Sequence, residues 1–439
     1  MASLDDVLFP WLRPIRAQLV SLNTSPIIVA YSGGLDSTCL LHMLCQVVSP
    51  DRVIVLHVHH GLSSNADAWL HHCREVAQQW GCRFNTRSVL VKPRGAGVEA
   101  AAREARYQVF GEALSTGGVL LQGHHADDQL ETVFLHLMRG SGPAGLKGIP
   151  QQRTCGHGEI WRPLLAVTRE QLQAYAAHFG LSYVHDESND CVDFDRNYLR
   201  KAVMPMLSKR FAQLYSAVLA TTDAMADAES LQRALAWQDA DLTRSVLPLD
   251  ALLSLDPVRQ RNVLRYWFCH HTGQVLPRQS MVALVHSVLN AKADACPELV
   301  VGEWRLQRSR QQLALLPVTE EVPLWQAIWD FREPLKTPYG TLVAVPVEGG
   351  WQFPSTVMVS HRRGGEKIRP FGRGVSKTLK ALFKERDVPL WQRAALPLLW
   401  HTDTLLYIPD IAADESCAPI DGCMGWHIQW QPQILSIET

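Results

Sequence analysis

The stretch Ile27-Ile28-Val29-Ala30-Tyr31-Ser32-Gly33-Gly34-Leu35-Asp36-Ser37 decides the fold of this 439-residue chain. Its first five residues form an apolar run typical of a buried strand, and its last six form a glycine-rich turn. Apolar side chains at helical spacing come next, so the turn joins a strand to a helix. Glycines let a backbone approach a ligand closely, and the free N–H groups at a helix start favour anions. We therefore predict a phosphate-binding loop at residues 32–37.

The alternation of strand and helix continues through the first 200 residues. The predicted strands span 27–31, 53–58, 83–91 and 119–122, and the predicted helices span 64–80, 98–114, 127–139 and 168–179. Strands separated by helices pair in parallel, so we expect an α/β fold with an N-terminal doubly wound parallel sheet. Residues 140–158 are rich in Gly and Pro, and we expect a long loop there.

The length of the chain predicts more than one domain. We expect a catalytic domain over residues 1–212, which contains the phosphate loop. A mainly helical central domain is expected over 213–345, where an Ala-rich helical pattern is followed by short apolar runs. A small mixed α/β domain with many basic residues is expected over 350–439.

Asp36 lies inside the predicted phosphate loop, where a carboxylate alone would repel phosphate. The acid is explained if it holds Mg²⁺ against phosphate oxygens, while Ser32 and Ser37 add hydroxyl donors. The loop lacks the Gly-Lys-Ser/Thr ending of a Walker P-loop, which disfavours an ordinary kinase or GTPase. A simple turn with a helix cap is the alternative, because Ser, Gly and Asp are common in such turns.

A second polar cluster follows the fourth predicted strand. His125 precedes a helix whose first turn contains Asp127, Asp128 and Glu131, and residues 127 and 131 share one face. Carboxylates facing a phosphate loop suit metal coordination or the capture of a substrate ammonium. The alternative is that acids favour helix starts because of the helix dipole, which is worth roughly 0.3–1 kcal/mol each.

Arg103 and Arg106 lie with Glu99 on one helical stripe. The arginines would stand beside phosphate groups or the negative charge of a transition state. A solvent-exposed ion-pair face is the alternative interpretation.

The net charge of −1 argues against a nucleic-acid partner only until its distribution is considered. Residues 361–393 contain ten Lys or Arg and three acids, a local charge of +7, so the rest of the chain totals −8. We predict a helix over 376–386 with Lys377, Lys380 and Lys384 on one stripe, opposite an apolar stripe. Such a helix suits an RNA phosphate backbone, although a basic surface without a partner is the alternative.

The sequence at residues 32–37 resembles the signature of the PP-loop ATP pyrophosphatases, enzymes that cleave ATP between its α- and β-phosphates to adenylate a substrate. Further motifs follow in the order His57–Leu62, Gln122–Thr132, Arg139–Ile149, Arg162–Leu165, Asp186–Asn189, and then Arg196, Asn197 and Arg200. In this order and spacing the motifs resemble the tRNA(Ile)-lysidine synthase family over nearly the whole chain.

The resemblance implies that the enzyme uses ATP and Mg²⁺ to join L-lysine to C2 of the wobble cytidine of a CAU-anticodon isoleucine tRNA. The cytidine would be adenylated first, and the product would be lysidine. Residues Ser32, Gly33, Gly34, Leu35, Asp36 and Ser37 would bind the pyrophosphate part of ATP. The candidate catalytic residues are Asp36, His125, Asp128 and Arg106, with Asp36 and Asp128 as metal ligands. The candidates for lysine or RNA binding are Asp127, Glu131, Arg103, Arg196, Arg200, Lys377, Lys380 and Lys384.

Three rival functions fit the sequence less well. A PP-loop tRNA thiolase would need sulfur-handling cysteines, yet no two of the ten cysteines have C-x-x-C spacing. GMP or asparagine synthetase would need a glutaminase portion, whereas this chain begins almost directly with the phosphate loop. A nucleotide-sensing RNA-binding protein without chemistry would not need the carboxylate helix.

The sequence contains no export or membrane signal. Residues 1–14 lack a basic-then-apolar pattern, and no apolar run approaches the roughly 20 residues of a membrane span. The cysteines are typical of reduced cytosolic thiols. We expect a cytoplasmic protein without a membrane partner, as a monomer or a homodimer.

Overall fold

The computed structural model describes residues 7–22, 26–61, 63, 65–91, 98–185, 187, 195–292, 295–318 and 325–432. These residues form two compact units, Met1–Ser230 and Leu231–Thr439. The motif at Asp186–Asn189 lies outside the described residues except for Glu187. No helix in the described part of the chain is both long and apolar enough to cross a membrane.

The first unit is built on a six-stranded sheet. Its strands are β1 (Ile27–Ala30), β2 (Val53–His59), β3 (Arg83–Ser88), β4 (Val119–Leu121), β5 (Gln152–Cys155) and β6 (Gly158–Trp161), in the order β3-β2-β1-β4-β6-β5. Every pairing is parallel except that of β5 with β6 at one edge. The predicted parallel sheet is confirmed, and β1 lies inside it between β2 and β4.

Helices connect and cover these strands. They are α1 (Leu12–Val20), α2 (Leu35–Cys45), α3 (Ala66–Gln79), α4 (Val98–Ala113), α5 (Ala126–Met138), α6 (Pro143–Leu146), α7 (Arg169–Phe179), α8 (Asp195–Tyr198), α9 (Met204–Arg210) and α10 (Leu214–Asp239). A π-helical segment, Leu199–Val203, joins α8 to α9.

Successive residues of β1 point into different hydrophobic cores. Ile27 and Val29 lie in one core with Leu40 of α2, whereas Ile28 lies in a second core with Phe110 of α4. Because side chains alternate across a strand, a strand buried on both faces is apolar throughout. This double burial explains the continuous apolar run that predicts β1.

The prediction of a long loop over residues 140–158 is wrong. This segment contains α6 and the edge strand β5, and it begins β6. The side chains of β5 are mostly exposed, so the strand lacks the apolar alternation that would reveal it.

The second unit begins with helices packed on an antiparallel sheet. The helices are α11 (Leu249–Ser254), α12 (Pro257–Thr272) and α13 (Arg278–Ala283), and the strands are β7 (Val246–Pro248), β8 (Glu298–Val301), β9 (Trp304–Arg308) and β10 (Gln312–Pro317). The sheet order is β7-β10-β9-β8. Trp267 and Phe268 of α12 are fully buried in one core with Leu306 and Leu313 of the sheet.

The C-terminal part of this unit contains three small sheets. Their strands are β11 (Gln326–Trp329), β12 (Leu335–Thr337), β13 (Gly340–Glu348), β14 (Val357–Ser360), β15 (Lys367–Ile368), β16 (Lys377–Thr378), β17 (Leu398–His401), β18 (Thr404–Ile408), β19 (Ala412–Ala413) and β20 (Met424–Pro432). The sheet orders are β11-β14-β17-β18-β19, β12-β13-β20 and β15-β16, and the helices are α14 (Leu379–Glu385) and α15 (Leu390–Arg393).

The strand pairing bears on the expected domain boundary at residue 345. β13 pairs with β20 along its whole length, and β11 pairs with β14. A division at 345 would cut β13, so we propose that the C-terminal domain begins near Trp325.

Candidate active site

The site lies where the strand order of the first sheet reverses. β1 leads to β2 on one side, and its neighbour on the other side is β4. Ligands of open α/β sheets bind at the carboxyl ends of the strands beside such a switch point. Here the two strand ends lead into residues 32–37 and into residues 122–128. The loops approach so closely that a Cβ atom at Gly123 would lie 3.0 Å from the carbonyl carbon of Asp36.

The first loop has the geometry of an anion-binding turn. Gly33 has φ +83°, and a Cβ atom there would lie 2.8 Å from Sγ of Cys73, so only glycine fits. The hydroxyl oxygens of Ser32 and Ser37 are 3.2 Å apart across the turn. α2 begins after Gly34 without a side-chain cap. Backbone N–H groups at such an uncapped helix start suit a phosphate ligand.

His125 lies at the centre of the second loop and is 1% exposed. Its Nε2 lies 3.6 Å from Oδ2 of both Asp36 and Asp128, and its Nδ1 lies 3.3 Å from Oδ2 of Asp127. Burial opposes the charge, but the surrounding carboxylates, Asp128 above all, outweigh burial and raise the pKa of His125 to about 10. The amide N of Asp127 is also 3.2 Å from Nδ1. The carboxylates favour the protonated ring, in which Nδ1 donates to Asp127 instead.

Asp127 is held by three partners. Its Oδ1 accepts a hydrogen bond from the hydroxyl of Tyr215 at 2.7 Å, and its Oδ2 accepts one from the backbone N–H of Arg169 at 2.8 Å. Burial opposes the charged form, but the hydrogen bonds from His125, Tyr215 and Arg169 together lower the pKa of Asp127 to about 2. The side chain is 21% exposed, so this carboxylate is reachable from solvent.

Glu131 is fully buried, and it is paired with two arginines. Its Oε2 accepts from Nε of Arg196 at 2.6 Å, and its Oε1 accepts from Nε of Arg200 at 2.6 Å. The same arginines reach Oδ1 of Asp128 at 2.7 Å and 3.4 Å. The structure therefore joins four residues predicted to bind lysine, RNA or metal into one ion-pair network, which we call the Glu131 network (Asp128, Glu131, Arg196 and Arg200).

The two predicted metal ligands differ in what their oxygens contact. Oδ1 of Asp36 is buried and has no hydrogen-bond partner in the described structure, while Oδ2 lies 3.6 Å from Nη1 of Arg169. Both oxygens of Asp128 are already engaged by His125 and the arginines. The described residues contain no group of three or more His, Cys, Asp or Glu that could hold a metal. Asp36 alone fits Mg²⁺, which commonly binds through one or two carboxylates plus substrate phosphates.

Arg103 and Arg106 are both exposed on α4. The guanidinium carbon of Arg103 lies 5.3 Å from the ring centroid of Tyr107. Burial lowers the pKa of His60 to about 4, and the charge of Arg106 acts in the same direction, so Arg106 lies near the end of β2. Both arginines remain predictions as site residues.

Comparison with known proteins identifies the family. A PP-loop domain model matches residues 12–207, a TilS substrate binding domain model matches 247–314, and a TilS substrate C-terminal domain model matches 357–430. The chain is 35% identical to the tRNA(Ile)-lysidine synthase of Serratia proteamaculans, over 92% of this chain and 95% of the relative. It is 38% identical to that of Pseudomonas putida, over 94% and 98%. The chain belongs to the tRNA(Ile)-lysidine synthase family.

Two residues of this lysidine synthase family member contact the site, and a third lies beside it, without having been assigned a role from the sequence. Arg169 and Tyr215 hold Asp127, and Arg162 follows β6 next to the second loop. Arg162 belongs to a motif that supports the family resemblance, so the sequence points to it without indicating its role. Tyr215 gives no such signal, because it lies 88 residues from its partner Asp127.

The basic helix near the C-terminus is shorter than predicted. α14 spans Leu379–Glu385, and Thr378 is its N-cap, so Lys377 lies in β16 and not on the helix. Lys377 is paired with Glu385, as is Arg373. The prediction of one helical stripe of three lysines is therefore wrong for Lys377. Lys380 and Lys384 are exposed, opposite the buried Leu379, Leu382 and Phe383.

The region matched by the substrate binding domain model also borders a cavity of about 1090 Å³. The cavity is lined by β7, the start of α11 and the turn before β10. Its positively charged lining residues are Arg244, Arg308 and Arg310. Arg308 is almost fully buried, and it donates to the backbone carbonyls of Val288, Leu289 and Ala291.

We predict that Glu131→Gln destabilises the first unit rather than weakening lysine binding alone. Removing one charge from a buried ion-pair network leaves the opposite charges uncompensated, at a cost of about 3 kcal/mol. The thermal unfolding midpoint of this unit should fall by roughly 5–10 °C. Glu104→Gln, an exposed acid on α4, serves as the matched control and should not change the midpoint. An unchanged midpoint combined with a raised KM for lysine would instead identify Glu131 as a lysine ligand.

Proposed function

We propose that the cluster at the switch point between β1 and β4 performs the ATP-dependent ligation of L-lysine to C2 of the wobble cytidine of a CAU-anticodon isoleucine tRNA. One observation is central to the proposal. The phosphate loop lies directly against the loop of His125, Asp127 and Asp128, so phosphates bound at one loop face fixed charges from the other. Membership of the lysidine synthase family supports the identity of both substrates.

The first step activates the cytidine. Its O2 attacks the α-phosphate of ATP, the bond between the α- and β-phosphates breaks, and pyrophosphate leaves. We assign the binding of pyrophosphate to the backbone N–H groups of residues 32–37 and to the hydroxyls of Ser32 and Ser37, because donors fixed at a helix start need no rearrangement to meet the charge.

Asp36 would hold Mg²⁺ through Oδ1, the carboxylate oxygen that has no other partner in the described structure. When bound, Mg²⁺ would neutralise the charge that develops on the pyrophosphate oxygens. Asp128 would act indirectly, because its Oδ2 accepts from the backbone N–H of His125 at 3.1 Å and lies 3.6 Å from Nε2 of the ring. This assignment separates two residues that were both predicted as metal ligands.

His125 would contribute a fixed positive charge and not a general base. The carboxylates of Asp36, Asp127 and Asp128 surround its buried ring and favour the protonated form, which suits this role better than that of a base. Arg169, whose Nη1 lies 3.6 Å from Asp36, adds a second positive charge at the same point. Together they would stabilise the negatively charged phosphates of ATP in the first step and AMP in the second.

In the second step the amine of L-lysine attacks C2 of the adenylated cytidine, and AMP leaves with the former O2. We assign the binding of a lysine ammonium to Asp127 and not to Glu131. Asp127 is partly exposed and, as an ionised carboxylate, has lone pairs left for a further donor, whereas Glu131 is inaccessible.

The second unit would bind the body of the tRNA. Lys380 and Lys384 form an exposed basic pair on α14, where they would contact phosphates of the tRNA backbone. Such contacts to phosphate supply affinity and orientation and leave the choice of base to the first unit.

Incubation with ATP, labelled L-lysine and total bacterial tRNA should attach lysine to one tRNA species. The attachment should survive mild base, because a carbon–nitrogen bond at C2 is not an ester. Omission of ATP is the control and should abolish labelling. Absence of label from every tRNA would contradict the proposed function.

Asp36→Ala should abolish the release of pyrophosphate while leaving tRNA affinity nearly unchanged, because the side chain is needed for metal and phosphate and not for RNA. Pyrophosphate release and tRNA binding are measured on the same preparation. Asp51→Ala changes an exposed acid just before β2, at the amino ends of the parallel strands and away from the site, and should retain full turnover. Full turnover by Asp36→Ala would refute the metal assignment.

The double variant Lys380→Ala/Lys384→Ala should bind tRNA roughly tenfold more weakly near 0.15 M salt, with a shallower salt dependence, because two phosphate contacts are lost. Lys377→Ala is the matched control, and it should have a smaller effect since Lys377 is already neutralised by Glu385. If Lys377→Ala lowered the tRNA affinity as much as the double variant does, the assignment would be contradicted. Filter binding at several salt concentrations measures both quantities.

A further inference from the structure

An aromatic ring on α4 is contacted by two arginines from different elements. The guanidinium carbon of Arg103 lies 5.3 Å from the ring centroid of Tyr107, and that of Arg153 lies 5.0 Å from it. Arg103 comes from the preceding turn of the same helix, whereas Arg153 comes from the edge strand β5. Stacking on a ring holds a guanidinium in place without neutralising its charge.

A buried arginine fixes the position of this ring. Arg162 is 2% exposed, its Nη2 donates to the hydroxyl of Tyr107 at 3.1 Å, and its Nη1 donates to the carbonyl of Pro150 at 2.7 Å. Its Nε is buried and has no hydrogen-bond partner among the described residues. We call Arg103, Tyr107, Arg153 and Arg162 the Tyr107 platform.

The strand register places the Tyr107 platform at the carboxyl ends of the parallel strands, the same end as the reaction centre. β4 and β6 run parallel, Leu121 pairs with Trp161, and the N–H of Gln122 donates to the carbonyl of Trp161 at 2.9 Å. Arg162 therefore follows β6 where the loop of His124 follows β4. Burial lowers the pKa of His124 to about 4, and the positive charges of Arg162 and Arg103 act in the same direction, as expected of near neighbours.

The charge of the platform differs from that of the Glu131 network. Arg196 and Arg200 are matched by buried carboxylates, whereas the described residues offer no ion-pair partner to Arg103 or Arg153, and both are exposed. Exposed positive charge of this kind suits a polyanion.

We propose that the Tyr107 platform binds backbone phosphates of the tRNA next to the cytidine that is modified. The inference rests on the proposed function. Adjacent strands lie about 4.8 Å apart, so β6 and β5 are roughly 10 and 14 Å from β1. An RNA strand bound at the reaction centre is long enough to reach β5 and β6. The phosphates of ATP are assigned to the loop after β1, so they are not the expected ligand of the platform. Arg103 and Arg153 present planar donors suited to phosphate oxygens.

The test compares Arg153→Ala with wild type by filter binding of tRNA over a range of salt concentrations. Arg153→Ala should bind roughly fivefold to tenfold more weakly near 0.15 M salt, and the slope of log K against log salt should fall by about 0.7–0.9 for one lost phosphate contact. Arg153→Lys should keep most of the slope, because a lysine also binds phosphate as a point charge. Lysidine formation should show a raised KM for tRNA rather than a lowered kcat.

The matched control is Arg83→Ala, an exposed arginine at the start of β3 and hence at the opposite edge of the same sheet. It should leave tRNA affinity and slope unchanged. Tyr107→Leu removes the ring and should weaken tRNA binding as Arg153→Ala does, whereas Tyr107→Phe keeps the ring and should lose less. Thermal unfolding midpoints of both Tyr107 variants establish whether they fold. If Tyr107→Leu does not fold, the result for Arg153→Ala still decides the test.

Two outcomes would overturn the inference. Arg153→Ala could bind tRNA with the affinity and slope of wild type, or it could weaken binding of a non-hydrolysable ATP analogue in the absence of RNA, which would assign the platform to nucleotide phosphate. Failure of the proposed function is distinguishable, because wild-type protein would then form no lysidine even if Arg153→Ala lost tRNA affinity.

Discussion

The buried pairing of Glu131 with Arg196 and Arg200 is the constraint on which the site depends. Charges removed from water are tolerated only if every one of them is matched, so the Glu131 network is stable as a whole or not at all. The pairing holds the segment around α8 against the first turn of α5. It also fixes Asp128, whose Oδ2 accepts from the backbone N–H of His125 and lies 3.6 Å from Nε2 of its ring. The position of His125 is thus determined by residues more than 60 positions further along the chain.

The carboxylates of the site fall into two groups. Three have oxygens that accept hydrogen bonds from neighbouring groups, and one has a buried oxygen without a hydrogen-bond partner among the described residues. Asp127, Asp128 and Glu131 each accept from two or more partners, and Asp36 alone has a buried oxygen without one. The arrangement places an array of opposite charges beside the predicted phosphate loop. We propose that the remaining oxygen of Asp36 holds the metal and that the partly exposed Asp127 binds the ammonium. Little reorganisation is needed when substrate charge develops, which is the main electrostatic advantage of a preorganised site.

The sequence predicts the parallel sheet and the phosphate loop because both depend on local patterns. β1 and β4 are apolar on both faces, and glycines are required where Gly33 meets Cys73. The same reasoning misses β5, whose exposed polar residues have no apolar period, and places Lys377 on a helix that Thr378 caps one residue later. It also treats Glu131 as open to substrate, because its partners Arg196 and Arg200 lie 65 and 69 residues away and no local pattern links them.

The edge strand β5 has a consequence for how the molecule behaves in solution. An unpaired sheet edge invites the strand of another molecule to add to it, which leads to aggregation. β5 runs opposite to its neighbour, is only four residues long, and is mostly exposed, and it bears the charge of Arg153. A second molecule that approached this edge would bring an identical arginine towards the first. Like-charge repulsion therefore disfavours pairing of two β5 edges. The same charge is expected to attract a tRNA phosphate.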